Sequence, residues 1–500
     1  MEGSNSDMAN DRTPIESKGV LASLMLFLAL SFARLFAQPD RIHRLSAEAW
    51  SEGLMLPAPW WPDFLSGLIP DTSTHIRIVA ALTLALVVGL QFLMFSMATD
   101  RGNSESPRAM RMWQVAHSLF CAAFMWRVFQ YGSSVSEFEV YDHVFGILAF
   151  AYLLGGRFQI ERIWFALAGV YFLSALAKLN PSWLSGRIFT TTQEMLAFLP
   201  EVAWIVQLAC LLLVFIEFVV PGFFFSISER RRRWAWWTFI GFHAYSFFLI
   251  DYRFPGLMLT FLMAVGLSGL GKFPDRDRLI QSFKWTSSGR AETLKTWSVA
   301  GLILGMIGSS LISTLNPGAR VLTMQGRSAG LFMFDVNTNC RVSLQLRRQI
   351  SQAEESFQII HTSGYRENMR LADGGSEPKS RDRIEISLNS QRIRLDANAY
   401  GNIYAGLNPS SGNRNLLYNR GLICSDSRRV CCDPQVYAHF LSRQLQQGKW
   451  DEVGLKIEAD LNGWQKWWTV VDLNNIRSLD QLKFEFSNPP EDYPAEYRWP

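Results

Sequence analysis

Apolar runs of membrane-spanning length recur up to about residue 316 and then stop, and this break constrains the fold more than any other feature. A helix that crosses a bilayer needs roughly 20 predominantly apolar residues. Nine segments approach that length, at 18–37, 76–98, 113–132, 137–155, 161–179, 202–225, 234–251, 254–271 and 297–316. Several are short or interrupted by charge, so nine spans, or eight with one re-entrant helix, fit the pattern. Beyond Asn316 and Pro317 no window comes near it. The division predicts a polar tail over 1–17, a polytopic helical membrane domain over 18–316 and an extramembranous domain over 317–500.

The first run, KGVLASLMLFLALSFARLFAQ, has the look of an export signal, but it carries Arg34 and lacks a small-residue cleavage site before PDRIHR. It is predicted to be a retained helix. Only 18% of the chain is charged, below the roughly 25% of soluble proteins, which excludes a disordered or nucleic-acid-coating chain. With 48 basic and 44 acidic residues the sum of charge names no polyanionic partner, and no nucleic acid is expected.

The placement of charge says more. Lys and Arg concentrate in alternate loops: Arg12 and Lys18, Arg101 to Arg111, Arg157 and Arg162, the run Arg230 to Arg233, and Lys272 to Lys295. The opposite loops hold only Arg41, Arg44, Arg187 and Arg253. By the positive-inside rule the N-terminus is expected in the cytoplasm. With nine spans, the C-terminal domain is expected outside, in a periplasm, an ER lumen or the extracellular space.

That domain reads as mainly β, with a sandwich-like fold expected. VSLQL, SFQIIH, RIEISL, RIRL, VGLKIEADL and WWTVVDL have strand lengths and alternation, separated by Gly, Asn, Ser and Pro clusters. The polar segment 362–382 reads as a loop. One helix is predicted over about 433–446, with Asp433 as N-cap and Pro434 at the first helical position. Four of the six cysteines lie here, and an oxidising compartment favours pairing. Vicinal Cys431 and Cys432 rarely bond each other. The expected bridge runs to one of that pair from Cys424 or from Cys340.

An ionisable side chain inside a span is costly and is read first as functional. The candidates are Arg127, Asp142, His143, Lys178, Glu217, His243, and Asp251 with Arg253. The expected topology puts Arg127, Asp142, His143, Lys178 and the segment bearing His243 and Asp251 toward one leaflet, beneath the external domain. Each has a structural reading beside the functional one: snorkelling for Lys178, a carbonyl-bonded core histidine for His143 and His243, structural ion pairs for the others. No zinc spacing, phosphate-cradling glycine loop or Gly-x-Ser-x-Gly elbow is present. The residues by themselves predict an outward-facing polar cavity within the membrane.

The segment YFLSALAKLNPSWLSG at 171–186, with DHVFGILAF upstream and FHAYSFFLI downstream, resembles the vitamin K-dependent γ-glutamyl carboxylases and their wider family of horizontally transferred transmembrane domain proteins. Around the catalytic base that family reads Lys-Lys-Leu, three residues to Trp, and Gly after two more. Lys178, Leu179, Trp183 and Gly186 keep the spacing, while Ala177 replaces the first lysine. The resemblance implies Lys178 as base, with His143 and His243 as further catalytic residues. It places Trp183, Arg127, Asp142 and Tyr245 around the cofactor, with no metal. The implied reaction deprotonates and oxygenates vitamin K hydroquinone, a reduced menaquinone or phylloquinone, and couples its epoxidation by O2 to the attack of a glutamate γ-carbanion on CO2. The implied partners are a Glu-containing polypeptide, presented by the external domain, and the bilayer. A base for a hydroquinone must first be neutral, and desolvation in an apolar helix favours the neutral amine. A relative that binds quinone or lipid, with a partner-binding external domain and no carboxylation, is the alternative.

Overall fold

The computed structural model describes residues 15–37, 42, 45–52, 61–99, 107–134, 140–179, 181–185, 203–249, 253–267, 276–285, 290–315, 338–350, 353–370, 376–388, 391–396, 434–448, 450–461 and 467–481. Within the first 316 residues the helices are α1 (Ile15–Ala37), α2 (Ala47–Glu52), α3 (Thr72–Thr99), α4 (Pro107–Ser133), α5 (Val140–Leu153), α6 (Gln159–Ala177) and α7 (Pro181–Leu184). They continue with α8 (Ala203–Val219), α9 (Glu229–Leu249), α10 (Arg253–Leu267), α11 (Arg276–Phe283) and α12 (Arg290–Leu315). Every one of the nine apolar segments thus lies on a helix.

Among the described residues, four segments are long and apolar enough to cross a membrane: Ser17–Phe36, Thr72–Ala98, Gln159–Ala177 and Trp204–Phe225. Of the other five, four fall short for visible reasons. α5 and α10 carry apolar stretches of only Tyr141–Leu153 and Phe254–Gly266, α4 is broken by Arg108, Arg111, Arg127 and Gln130, and α9 begins with Glu229 and four arginines. The helical part is that of a membrane protein. Its outer faces agree, since Leu84, Met94, Trp204 and Leu304 are each more than 60% exposed, a density of bare apolar side chains that water would penalise and lipid would not.

The interior is built around α1 and α6. In α1 the stripe Val20, Leu24, Leu28 and Phe32 recurs at intervals of four and is fully buried, and the helix packs against α3 and α10. In α6, Ile163, Trp164, Leu167, Val170 and Tyr171 are buried against α5, α8 and α12. Gly266 of α10 lies so close to the Trp236 indole of α9 that a side chain there would displace the ring.

One end of α6 is clamped by charge. Arg162, wholly buried, pairs with Glu292 of α12 at 3.0 Å, and Glu161 pairs with Arg278 of α11 at 2.9 Å. The other end stops at Lys178 because Pro181 follows three residues on; proline cannot continue the hydrogen-bond ladder and bars helical geometry at the residue before it.

The C-terminal part holds β1 (Thr338–Ile350), β2 (Ala353–Arg370), β3 (Ser376–Leu388), β4 (Gln391–Asp396), α13 (Pro434–Gln446), β5 (Glu452–Leu461) and β6 (Trp467–Ile476). All six read strands are present, in one antiparallel sheet ordered β4-β3-β2-β1-β5-β6. Cys340, Val342, Leu344 and Leu346 alternate with polar residues along β1, and face Ala459, Ile457, Leu455 and Val453 of β5 in register. Tyr437, Phe440 and Leu441 are buried on α13, which packs against β5. The described strands form a single sheet, and no second sheet of a sandwich lies among the described residues. The expected loop 362–382 is a correction: β2 runs on to Arg370 and β3 starts at Ser376, with a register shift between Thr362 and Tyr365. Backbone pairing, once begun at Phe357–Leu388, propagates through polar sequence because its hydrogen bonds do not depend on side-chain type.

Cys340 is disulfide-bonded. Cys424, Cys431, Cys432 and the expected N-cap Asp433 lie outside the described residues. The two parts of the chain meet where the Gln447 side chain donates to the Ser51 carbonyl and Trp50 of α2 lies against the His439 ring, centroids 6.5 Å apart.

Candidate functional site

The residues singled out in the helical part assemble into two buried polar clusters. The first gathers at the C-terminal end of α6. Tyr171, Ser174 and Lys178 follow at intervals of three and four and therefore share one face of the helix. Lys178 is 3% exposed and Glu217 of α8 is 2% exposed, and Lys178 Nζ lies 2.5 Å from Glu217 Oε2. Nζ also donates to Ser174 Oγ at 2.7 Å, and that hydroxyl donates to the same Glu217 oxygen at 3.1 Å. The amine is thus enclosed by one carboxylate and one hydroxyl, at a helix C-terminus whose dipole favours positive charge.

Trp183 of α7 covers this group. Its ring centroid is 5.4 Å from Nζ, within cation–π range, and its indole nitrogen donates to the Cys210 carbonyl at 3.1 Å. His243 of α9 joins from the other side. Its Nε2 is 2.7 Å from the Tyr171 hydroxyl, and it feels the field of Lys178. The Tyr171 ring is stacked on Phe239 with centroids 3.8 Å apart. Among the described residues, His243 Nδ1 and Ser246 Oγ, both buried and one turn apart on the same face of α9, have no hydrogen-bond partner. A buried donor or acceptor left unmade costs about 1–3 kcal/mol, which a ligand bearing a hydroxyl or carbonyl would recover.

The second cluster spans α1, α3, α4 and α5. Arg127 of α4 pairs with Asp142 of α5 at 2.6 Å and donates to Gln130 Oε1 at 3.2 Å. The Gln130 amide is 2.6 Å from His75 Nε2, and His75 Nδ1 lies 3.0 Å from the Leu45 carbonyl. This wiring fixes the neutral tautomer of His75, with Nδ1 donating and Nε2 accepting. Nearby, His143 Nδ1 is 3.2 Å from the Tyr131 hydroxyl, and Arg34 donates to the Tyr141 hydroxyl at 2.5 Å.

Sequence reading expected one site. The structure brings Lys178, Trp183 and His243 together and gathers Arg127, Asp142 and His143 separately. Tyr245 is half-buried on α9, two residues beyond His243. Asp251 and Gly186 lie outside the described residues, as does the Arg253 side chain. Glu217, a candidate with a structural ion pair as its other reading, is the direct ion-pair partner of Lys178. Its signal was its position, a lone carboxylate in the apolar run LLLVFIEFVV. Tyr171, Ser174, Gln130, Tyr131 and His75 went unread because neutral polar residues in helices give no hydropathy signal strong enough to notice. No family model, no curated protein and no solved structure matches the chain.

Proposed function

We propose that this protein is a multi-span membrane enzyme of the vitamin K-dependent carboxylase type, in which Lys178 deprotonates a reduced quinone and the reaction carboxylates glutamate side chains of external polypeptides. The observation that carries the reading is the enclosure of Lys178 Nζ by Glu217 and Ser174 within hydrogen-bond distance, beside His243 and Trp183. In a dry site a proton bound between an amine and a carboxylate 2.5 Å apart moves from nitrogen to oxygen without creating separated charge, and the neutral amine that results is a base. Glu217 then holds the proton and Ser174 keeps both groups aligned.

The residues fit a hydroxyl-bearing aromatic ring. Lys178 would face its hydroxyl, Trp183 its face, and His243 Nδ1 with Ser246 Oγ would supply the hydrogen bonds now unmade. Bound, a quinol supplies a lipid-soluble reductant whose reaction with O2 yields the driving force for carbanion formation. Burial of every group in the cluster supports the exclusion of water that a carbanion requires. The proposal includes nine spans with a cytoplasmic N-terminus and an external C-terminal domain, supported by nine helices at nine apolar segments and by the loop charge bias. The test incubates the membrane-embedded protein with reduced vitamin K, labelled bicarbonate and a Glu-rich peptide, and scores epoxide and fixed label separately. Both signals are expected. Epoxide without label leaves an oxygenase, and neither signal removes the carboxylase reading.

A further inference from the structure

α9 turns a continuous stripe outward from the helical bundle. Arg230, Trp234, Trp237, Gly241 and Phe248 are spaced four, three, four and seven residues apart, so they fall on one face, and all five are exposed. Trp234 and Trp237 are each more than half exposed. Gly241 leaves open space where a side chain would stand, a slot beyond the two indoles. On a membrane protein this face meets lipid, with arginine at its head and aromatic rings along its length.

The head carries charge that the protein leaves unanswered. Between Ser226 and Leu249 there are four arginines and one acid, Glu229. Arg233 pairs with Glu229, and Arg232 donates to the Ser226 carbonyl at 3.0 Å. Arg230 and Arg231, both exposed, have no ion-pair or hydrogen-bond partner among the described residues. The positive-inside rule asks only that such charges lie in the loop; it does not ask that two of them stand unpaired above two indoles held in place. Trp234 is in edge contact with Phe223 at 5.9 Å and Trp237 with Trp236 at 4.6 Å, and Trp236 is itself buried and donates to the Leu262 carbonyl. A surface held in this way loses little freedom when a ligand settles on it.

We propose that the α9 stripe binds one anionic phospholipid, its phosphate at Arg230 and Arg231, its glycerol end at Trp234 and Trp237, and an acyl chain laid along Gly241 toward Phe248. Guanidinium groups match phosphate oxygens in pairs, and tryptophan favours the headgroup level, where its ring is apolar and its N–H meets polar oxygens. The unpaired charge selects an anionic over a zwitterionic lipid, by about 5-fold in binding for each basic side chain near the surface. α12 repeats the spacing with Arg290, Leu294, Trp297 and Gly301, all exposed, but has one arginine at its head where α9 has four. It therefore serves as an internal control. The inference is independent of the reaction proposed above.

The test places the full-length protein in phosphatidylcholine nanodiscs doped with a trace of phosphatidylglycerol, or of phosphatidylcholine, bearing a diazirine near the glycerol end of one chain. After photolysis, label on residues 227–241 is read by mass spectrometry. Phosphatidylglycerol should label this segment at least 10-fold more than phosphatidylcholine does. Unlabelled phosphatidylglycerol should compete, and inorganic phosphate at equal ionic strength should not. Arg230→Gln and Arg231→Gln should each lower the preference about 5-fold, and together they should bring it near parity. Arg290→Gln should change it less than 2-fold. Either single variant decides if the double variant does not insert. Equal labelling by the two lipids, competition by inorganic phosphate, or an Arg290→Gln loss as large as that of the α9 variants would overturn the site.

Discussion

Two of the ion pairs among the described residues of the helical part, Lys178–Glu217 and Arg127–Asp142, have the same formal charge and different chemistry. Lys178–Glu217 joins a compact ammonium to a carboxylate at 2.5 Å, with Ser174 touching both. Arg127–Asp142 joins a guanidinium to a carboxylate at 2.6 Å, with Gln130 and His75 behind it. A guanidinium stays charged under all accessible conditions, whereas an amine in a dry site can give up its proton to the neighbouring oxygen. On the proposed function the first pair is a proton-transfer couple, whereas the second is a fixed charge whatever the function. Residue type, more than burial or distance, separates the two roles.

The largest expected effect follows from removing the transferable proton. Lys178→Met should lower epoxide formation by about 10²- to 10⁴-fold, the range of a lost general base. Lys178→Arg keeps the charge and should lose as much, because guanidinium does not release its proton; substantial activity in the arginine variant would end the distinction between the pairs. The same swap in the second pair, Arg127→Lys, should cost activity far less.

Stability should fail to separate the pairs where activity separates them. Asp142→Asn leaves Arg127 without its carboxylate and Lys178→Met leaves Glu217 without its amine, and each should cost about 3–5 kcal/mol, read from thermal or denaturant unfolding in detergent. Neutralising both members at once, as in Lys178→Met with Glu217→Gln, should recover most of the stability and none of the epoxide. Recovery of both would reduce the first pair to a structural bridge.

Much of this fold was legible in the sequence for a simple reason: each helix or strand carries its own period or length. The nine apolar segments and six strand segments are local signals, and each became an element. The sheet's continuation through 362–382 was not legible, because it depends on pairing with a distant neighbour. At the site, Lys178 and His243 were legible as ionisable residues inside apolar spans, and Trp183 only through the family resemblance. Their separation from Arg127, Asp142 and His143 was not, because which helices pack together is set by side-chain shapes such as Gly266 against Trp236, which no hydropathy profile records.

A smaller effect tests the geometry of the fixed charge. Arg127→Lys retains one positive charge but cannot reach Asp142 and Gln130 together, as the guanidinium does with NH2 and NH1. Loss of one charge-assisted hydrogen bond should cost about 1.5–3 kcal/mol, read from thermal unfolding in detergent. An equal stability change for Lys178→Arg would show that fit, and not proton chemistry, distinguishes both sites.

The least effect comes from a group outside both pairs. His439 lies on α13 against Trp50 of α2; burial, and then Arg443 one turn on, hold its imidazole below the ordinary value of 6.5. The unfolded chain binds a proton near pH 6.5 that the folded chain refuses. Stability is therefore full above pH 6.5 and declines as pH falls toward the folded value, at no more than about 1.4 kcal/mol per pH unit for one group. Because the ring stands where the C-terminal part meets α2, the decline should appear as loss of that contact, measured by crosslinking cysteines introduced at Ser51 and Gln447 between pH 7.5 and 5. His439→Phe keeps an aromatic ring against Trp50 and should flatten the profile. Asp142→Asn and Glu217→Gln should leave its shape unchanged, because they sit in other clusters. If either reshaped the profile as His439→Phe does, the acid sensitivity would originate in the membrane interior, and a fixed charge and a proton couple could no longer be told apart by pH.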